Sequence, residues 1–232
     1  MKTWKGYNIL DLILITLGIG LAVVAEILFH SKWYVIACTI FGLLCVFTQA
    51  KGKILTQFLG ILDACFYIIN SYTQKYYGEA LLYLIVMLPM YFYGIFHWLA
   101  NRDKKDNVVI VRNNLSIKEW AIFGCCFACL SAVSYFVLKA LNTEQLIFSF
   151  LSFISMLPAV YLLARRCKWN QVAFLFNDLF VAILWGVLIV GGDLSLIPMA
   201  IYFAFQIVYD AYGVFLWVKL EKQQANNKKY DN

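Results

Sequence analysis

The chain reads as a succession of long apolar runs separated by short polar or charged breaks. Crossing about 30 Å of hydrocarbon takes roughly 20 helical residues. Runs of that order fall at 9–29, 33–50, 54–73, 78–100, 119–141, 145–164, 169–190 and 194–217, and a polar tail follows. The run at 169–190 is the least uniform. Arg165, Arg166, Lys168 and Trp169 suit a membrane surface, and Asn170, Gln171, Asn177 and Asp178 then interrupt the apolar sequence. Polar groups at such depth are costly unless they face a cavity or a partner helix. The pattern predicts an all-α polytopic membrane protein of eight helices, the seventh lining a solute pathway.

Composition agrees: 63% of the 232 residues are hydrophobic and 14% charged, far from the balance of a soluble domain. The net charge of +6 lies in the breaks, so topology accounts for it better than nucleic acid does. With eight crossings, one side carries Lys2, Lys5, Lys51, Lys53, Arg102, Lys104, Lys105, Arg112, Lys118, Arg165, Arg166, Lys168, Lys219, Lys222, Lys228 and Lys229, and the other only Lys32, Lys75 and Lys139. The positive-inside rule then puts both termini in the cytoplasm. Most tryptophans, Trp4 and Trp33 among them, fall near helix ends, and Trp185 is deeper. The first run lacks a small-residue cleavage site and is expected to be retained. Glu26, Glu79 and Asp193 are expected to be solvated near the outer surface. Cys126 and Cys129 read as small packing residues rather than a metal or redox pair. No Gly-rich loop precedes a Lys, and no His pair has metal-ligand spacing. Neither cofactor nor metal is expected.

The chain repeats itself. Tyr93-Gly-Ile-Phe-His-Trp98 and Tyr212-Gly-Val-Phe-Leu-Trp217 end the fourth and eighth runs in the same register, which Tyr83 and Tyr202 extend upstream. With one loop offset, Gln57 matches Gln171 and Asp63 matches Asn177. The expected order is 1+3+1+3: an N-terminal helix (1–32), a three-helix bundle (33–100), a loop and linker helix (101–143), a second bundle (144–220) and a tail (221–232). Parallel bundles of this kind are a transporter plan with the solute near the midplane between them.

Helical spacing puts Asn170, Phe174, Asn177, Val181 and Trp185 on one face of the seventh helix, and Thr56, Gly60, Asp63, Tyr67 and Asn70 on the matching face of the third. Tyr202, Gln206, Tyr209 and Gly213 form a stripe on the eighth; Tyr83, Met87, Met90 and Gly94 form one on the fourth. Rings alternating with amides suit a flat polar solute. Hydrogen bonding between helices is the open alternative. Asp63, Asp178 and Asp210 are candidate proton or cation sites, or hydrogen-bonded acids. Pro89 is a candidate kink.

Ala50-Lys-Gly-Lys53, Leu59-Gly-Ile-Leu-Asp63, Tyr77-Gly-Glu-Ala-Leu-Leu82, Pro89, Tyr93-Gly94 and Trp98 resemble the first bundle of the PnuC family of vitamin transporters, and 191–217 resembles its second. The resemblance implies facilitated diffusion of a small vitamin or nucleoside, most often nicotinamide riboside, into a bacterial cytoplasm. It further implies trapping by a cytoplasmic kinase, a homotrimer, and a fold related to SWEET transporters. Members resembling nicotinamide riboside transporters carry Trp, Trp and Asn where this chain has Asn170, Ala173 and Asn177. Trp169 and Phe174 are adjacent replacements, and thiamine or another nucleoside-like vitamin is the alternative substrate. The candidate site is Asn177, Asn170, Phe174, Trp185, Asp63, Gln57, Gln49, Tyr209 and Gln206. The readings outside transport are a membrane enzyme acting through Asp63 and Asp178, or a receptor.

Overall fold

The computed structural model describes residues 8–103, 107–112 and 115–230; Lys2, Trp4, Lys5, Lys104 and Lys105 lie outside them. The helices are α1 (Ile9–Phe29), α2 (Trp33–Ala50), α3 (Leu55–Thr73), α4 (Tyr77–Ala100), α5 (Ile117–Ala140), α6 (Leu146–Ala164), α7 (Asn170–Val190) and α8 (Ile197–Tyr230). Among the described residues, seven helices are long and apolar enough to cross a membrane. The one that falls short is α3. It carries Thr56, Gln57, Asp63, Asn70 and Ser71, all buried, and packs against α2 and α4. Leu55, Phe58, Leu62 and Ile69 are exposed on its other side; a face turned toward neighbouring helices tolerates polar side chains that lipid would not.

The packing is laterally regular. α2 lies between α3 and α8, and α7 between α6 and α8, while α1 leans on α2 and α8, and α5 on α6 and the edge of α4. The outer faces of α1 and α5 are apolar and uncovered. Contrary to the sequence reading, Cys126 and Cys129 are exposed on α5 with Cys125, because α5 touches the bundle along one edge and these positions point away from it.

Three local features differ from the sequence pattern. α8 continues through the polar tail to Tyr230; Leu220-Glu-Lys-Gln-Gln-Ala225 is a run of good helix formers with no Gly or Pro to stop it. In α4 the turn Tyr83–Met87 is a wider π-turn just before Pro89. Proline has no amide hydrogen and its ring crowds the carbonyl four residues back, and the wide turn absorbs both defects. Last, the loop after α4 forms a small antiparallel hairpin, Arg102–Asp103 with Val108–Val109. Its outgoing strand runs across two turns: the Val109 N–H donates to Gly52 O (2.9 Å) and the Arg112 N–H to Arg166 O (3.1 Å). Gln224 of α8 holds the same strand, accepting from Val111 N–H (2.9 Å) and donating to Val109 O (3.0 Å).

Ion pairs fix the helices preceding each bundle. Asp11, in the first turn of α1, accepts from the Asn8 amide (2.6 Å) and pairs with Lys51 at 2.6 Å, the carboxylate fully buried. Glu119, in the first turn of α5, accepts from the Ser116 amide (2.8 Å) and pairs with Arg112 and Arg165. Both acids close a helix start in the manner of a capping box.

Candidate solute site

A polar cavity lies where α2, α3, α4, α6, α7 and α8 converge. Its backbone is arranged by two glycines. A Cβ on Gly42 of α2 would stand 2.4 Å from the Tyr202 ring, and one on Gly60 of α3 would stand 2.4 Å from the Tyr91 ring. Only a residue without a side chain lets those rings approach the neighbouring helix so closely. The gap between the atoms amounts to about 300 Å³, most of it too thin to admit even water, so the site is closed to a ligand as it stands. It is narrow, with open room at its centre for about one water. α3 contributes Asp63 and α7 contributes Phe174; α8 contributes Tyr202 and Gln206; α4 contributes Tyr83, Met87 and Tyr91; Gln49, Cys45 and Val46 come from α2 and Met156 from α6. A second space of about 220 Å³, bounded by Gln57, Met90, Val160 and Ala164, shares the Met87 and Tyr91 walls.

Aromatic layers close the cavity at both ends. Toward the α3–α4 connection, Trp185 Nε1 donates to Tyr67 Oη (2.9 Å), and that hydroxyl donates to Glu79 (2.9 Å). Tyr67 stacks on Tyr83 with ring centres 4.0 Å apart, and Trp185 stacks on Phe203. Glu79 is therefore fully buried rather than solvated as its place near a run end suggested; the Tyr67 hydroxyl gives it a partner inside the protein. Toward the α2–α3 turn, Trp98 and Trp217 meet edge to face at 6.1 Å, and Trp217 Nε1 donates to Gln49 O (3.0 Å). Both rings are fully buried.

Of the residues the sequence singles out, Asp63, Phe174, Gln49 and Gln206 line the cavity together, and Gln57 lines the adjoining space. Four others point elsewhere. Asn177 donates to Ser152 O and to Ser155 Oγ, both at 2.9 Å, and joins α7 to α6. Asn170 donates to Cys167 O (2.6 Å) and accepts from Gln171 (2.9 Å), finishing the turn before α7. Trp185 belongs to the closing layer, and Tyr209 packs edge-on against Phe47 away from the cavity. Sequence reasoning missed Tyr91, Met156 and Cys45 as lining residues. The available signal was Gly60: a gap on one helix invites a ring from the next.

Asp63 is the carboxylate of the cavity. It accepts from Cys38 Sγ at 3.5 Å and from Tyr202 Oη at 3.4 Å, both long contacts. Among the described residues no Lys, Arg or His pairs with it. Asp178 of α7 and Asp210 of α8 are also fully buried, outside this lining, and their carboxyl groups lie within hydrogen-bonding reach of each other.

The nicotinamide mononucleotide transporter family matches residues 32–219, from the start of α2 to the middle of α8. The chain belongs to this family. Two curated relatives span nearly all of it. The nicotinamide riboside transporter PnuC of Neisseria mucosa is 21% identical over 96% of this chain and 88% of its own length, and that of Haemophilus influenzae is 24% identical over 95% and 93%. The crystal structure of the vitamin B3 transporter PnuC superposes with a TM-score of 0.82 over 95% of both chains at 21% identity, a likeness of fold. Family membership makes this chain a membrane transporter, not an enzyme, that carries a small molecule. The apolar helices and the enclosed polar cavity fit that activity.

Proposed function

We propose that the chain takes up nicotinamide riboside by facilitated diffusion across a bacterial cytoplasmic membrane. The observation that carries this reading is the cavity itself: an enclosed space with a carboxylate, two glutamines and four aromatic rings, built from both bundles. A riboside offers hydroxyl and amide groups to Gln49 and Gln206 and a flat ring to Tyr83, Tyr91, Phe174 and Tyr202. The site residues in this reading are Asp63, Gln49, Gln206, Phe174 and Tyr202, with Gln57 on the way out. The cavity is narrow, so the closing layers and side chains shift when solute enters, as alternating access requires.

In the same reading all eight helices cross the bilayer in 1+3+1+3 order, the polar face of α3 covered by its neighbours and its apolar face left to lipid, with both termini cytoplasmic as the cation asymmetry favours. The assembly is a homotrimer, for which the uncovered faces of α1 and α5 leave room, and a cytoplasmic kinase makes uptake one-way. Thiamine is the second reading. It is favoured by one observation: neither Asn170 nor Ala173 brings a ring to the cavity, so stacking rests on Phe174 and the tyrosines.

The test is calorimetric titration of purified protein with nicotinamide riboside, thiamine, riboflavin and a deoxyribonucleoside in parallel. The riboside is expected to bind alone or tightest, and liposome uptake is expected to follow its gradient whether or not a proton gradient is present. Binding of thiamine alone replaces the substrate, and proton-dependent accumulation replaces facilitated diffusion.

A further inference from the structure

We infer that Asp63 makes the cavity selective for solutes whose aromatic ring carries a positive charge. The inference rests on the transport reading above and sharpens it by naming the property of the solute that this residue reads. Three observations meet at the site. Asp63 is a buried carboxylate on the cavity wall, and its two hydrogen bonds among the described residues, from a thiol at 3.5 Å and a phenol at 3.4 Å, are long and uncharged. Tyr83, Tyr91, Phe174 and Tyr202 line the same space. The faces of aromatic rings attract cations, and cages of such rings recognise quaternary nitrogen. A cationic ring placed here receives the opposite charge from Asp63 and lies among four aromatic rings.

The internal repeat isolates what is special about this position. Asp63 and Asn177 are equivalent, and so are their neighbours Cys38 and Ser152. Asn177 uses its amide hydrogens on Ser152 and Ser155. Asp63 stands opposite a thiol, a weak donor, so its carboxyl is left for what enters the cavity, and a cation there favours its charged form. The equivalent place in the second bundle holds the neutral isostere, Asn177.

The pyridinium of nicotinamide riboside and the thiazolium of thiamine both carry the required charge; uridine, thymidine and the reduced, neutral dihydronicotinamide riboside do not. The experiment titrates the full-length protein, Asp63→Asn and Tyr202→Phe with this panel, after thermal melts establish that each variant is folded. The unsubstituted protein should prefer nicotinamide riboside over its reduced form by roughly tenfold or more, and Asp63→Asn should abolish that preference by weakening the cation alone. Tyr202→Phe removes a hydrogen-bond donor from the site but keeps the carboxylate and the ring, so affinity should fall for charged and neutral ribosides alike while their ratio stays roughly tenfold or more. Should Asp63→Asn bind the charged and neutral ribosides with unchanged preference, or lose both alike, the inference is overturned while the substrate reading stands. If the unsubstituted protein binds thiamine instead, the substrate reading falls and Asp63→Asn must then weaken thiamine. Binding of a neutral nucleoside alone, or of nothing in the panel, overturns both. An Asp63→Asn protein that does not fold is replaced by Asp63→Glu, which must retain the preference, and by the charged-to-neutral ratio of the unsubstituted protein, which must be at least tenfold.

Discussion

In α2–α4 the turn after Ala50 puts Gly52 at φ 61°, and in α6–α8 the turn after Ala164 puts Arg166 at φ 59°. The hydrogen bonds match as well: Lys53 N–H to Thr48 O answers Cys167 N–H to Leu162 O. Gly94 lies under Gln57 as Gly213 lies under Gln171, a Cβ at either glycine falling 2.2 or 2.4 Å from the amide oxygen. Lys51 reaches Asp11 of α1, and its counterpart Arg165 reaches Glu119 of α5. The correspondence thus extends to the helix before each bundle, one helix further than the three-helix unit read from the sequence. The inward chemistry does not correspond. Asp63 faces the cavity where Asn177 is bound to its neighbours, and Tyr91 occupies the position that is Asp210 in the second bundle. Turns, glycine contacts and ion pairs hold the backbone in place twice over; the residues that line the cavity differ between the halves.

The equivalent ion pairs give the largest expected contrast. Lys51→Met leaves Asp11 buried without its cation, and removing one partner of a buried pair costs about 3–5 kcal/mol; unfolding in detergent should register this loss. Arg165→Met should cost clearly less in the same assay, because Glu119 keeps Arg112 and the Ser116 amide. Equal losses would mean that the two contacts are the same in energy as well as in position. Gly94→Ala and Gly213→Ala should each destabilise by about 1–3 kcal/mol through overpacking. Shortening the facing Gln57 or Gln171 to Ala should restore most of that in the double variant; a Gly213 variant that melts normally would confine the packing role to the first bundle. The smallest effect is expected for Asn177→Ala. Interhelical hydrogen bonds in membranes average about 0.6 kcal/mol and reach about 1.7, so a modest drop in melting temperature should accompany it.

How much of this was legible beforehand depended on whether a signal was local or relational. Helix positions follow from runs of apolar residues, and the structure moves their ends by at most three residues except at α8, where the tail has no residue to stop the helix. The Gln57–Gln171 and Tyr93–Tyr212 equivalences were readable because both copies kept the residue. Partners were not readable. Spacing put Asn177 and Asp63 on corresponding faces, but whether each meets a donor depends on Ser152 and Cys38, 25 positions earlier in both cases. Glu79 looked like a surface acid because it lies near a run end, and only the Tyr67 hydroxyl from the preceding helix explains its burial. The hairpin after α4 escaped because two-residue strands leave no periodic trace.

The strand from Val108 to Arg112 also has a consequence for the order of events during synthesis. Its partners in the turns at Gly52 and Arg166 lie on either side of it in sequence, but the side chain that brackets Val109 and Val111 belongs to Gln224, 113 residues after Val111. A ribosome delivers that glutamine well after both turns. Every earlier helix is made before the clamp exists, so this end of the protein is finished only when α8 has been drawn past the bundle and its final turns have formed.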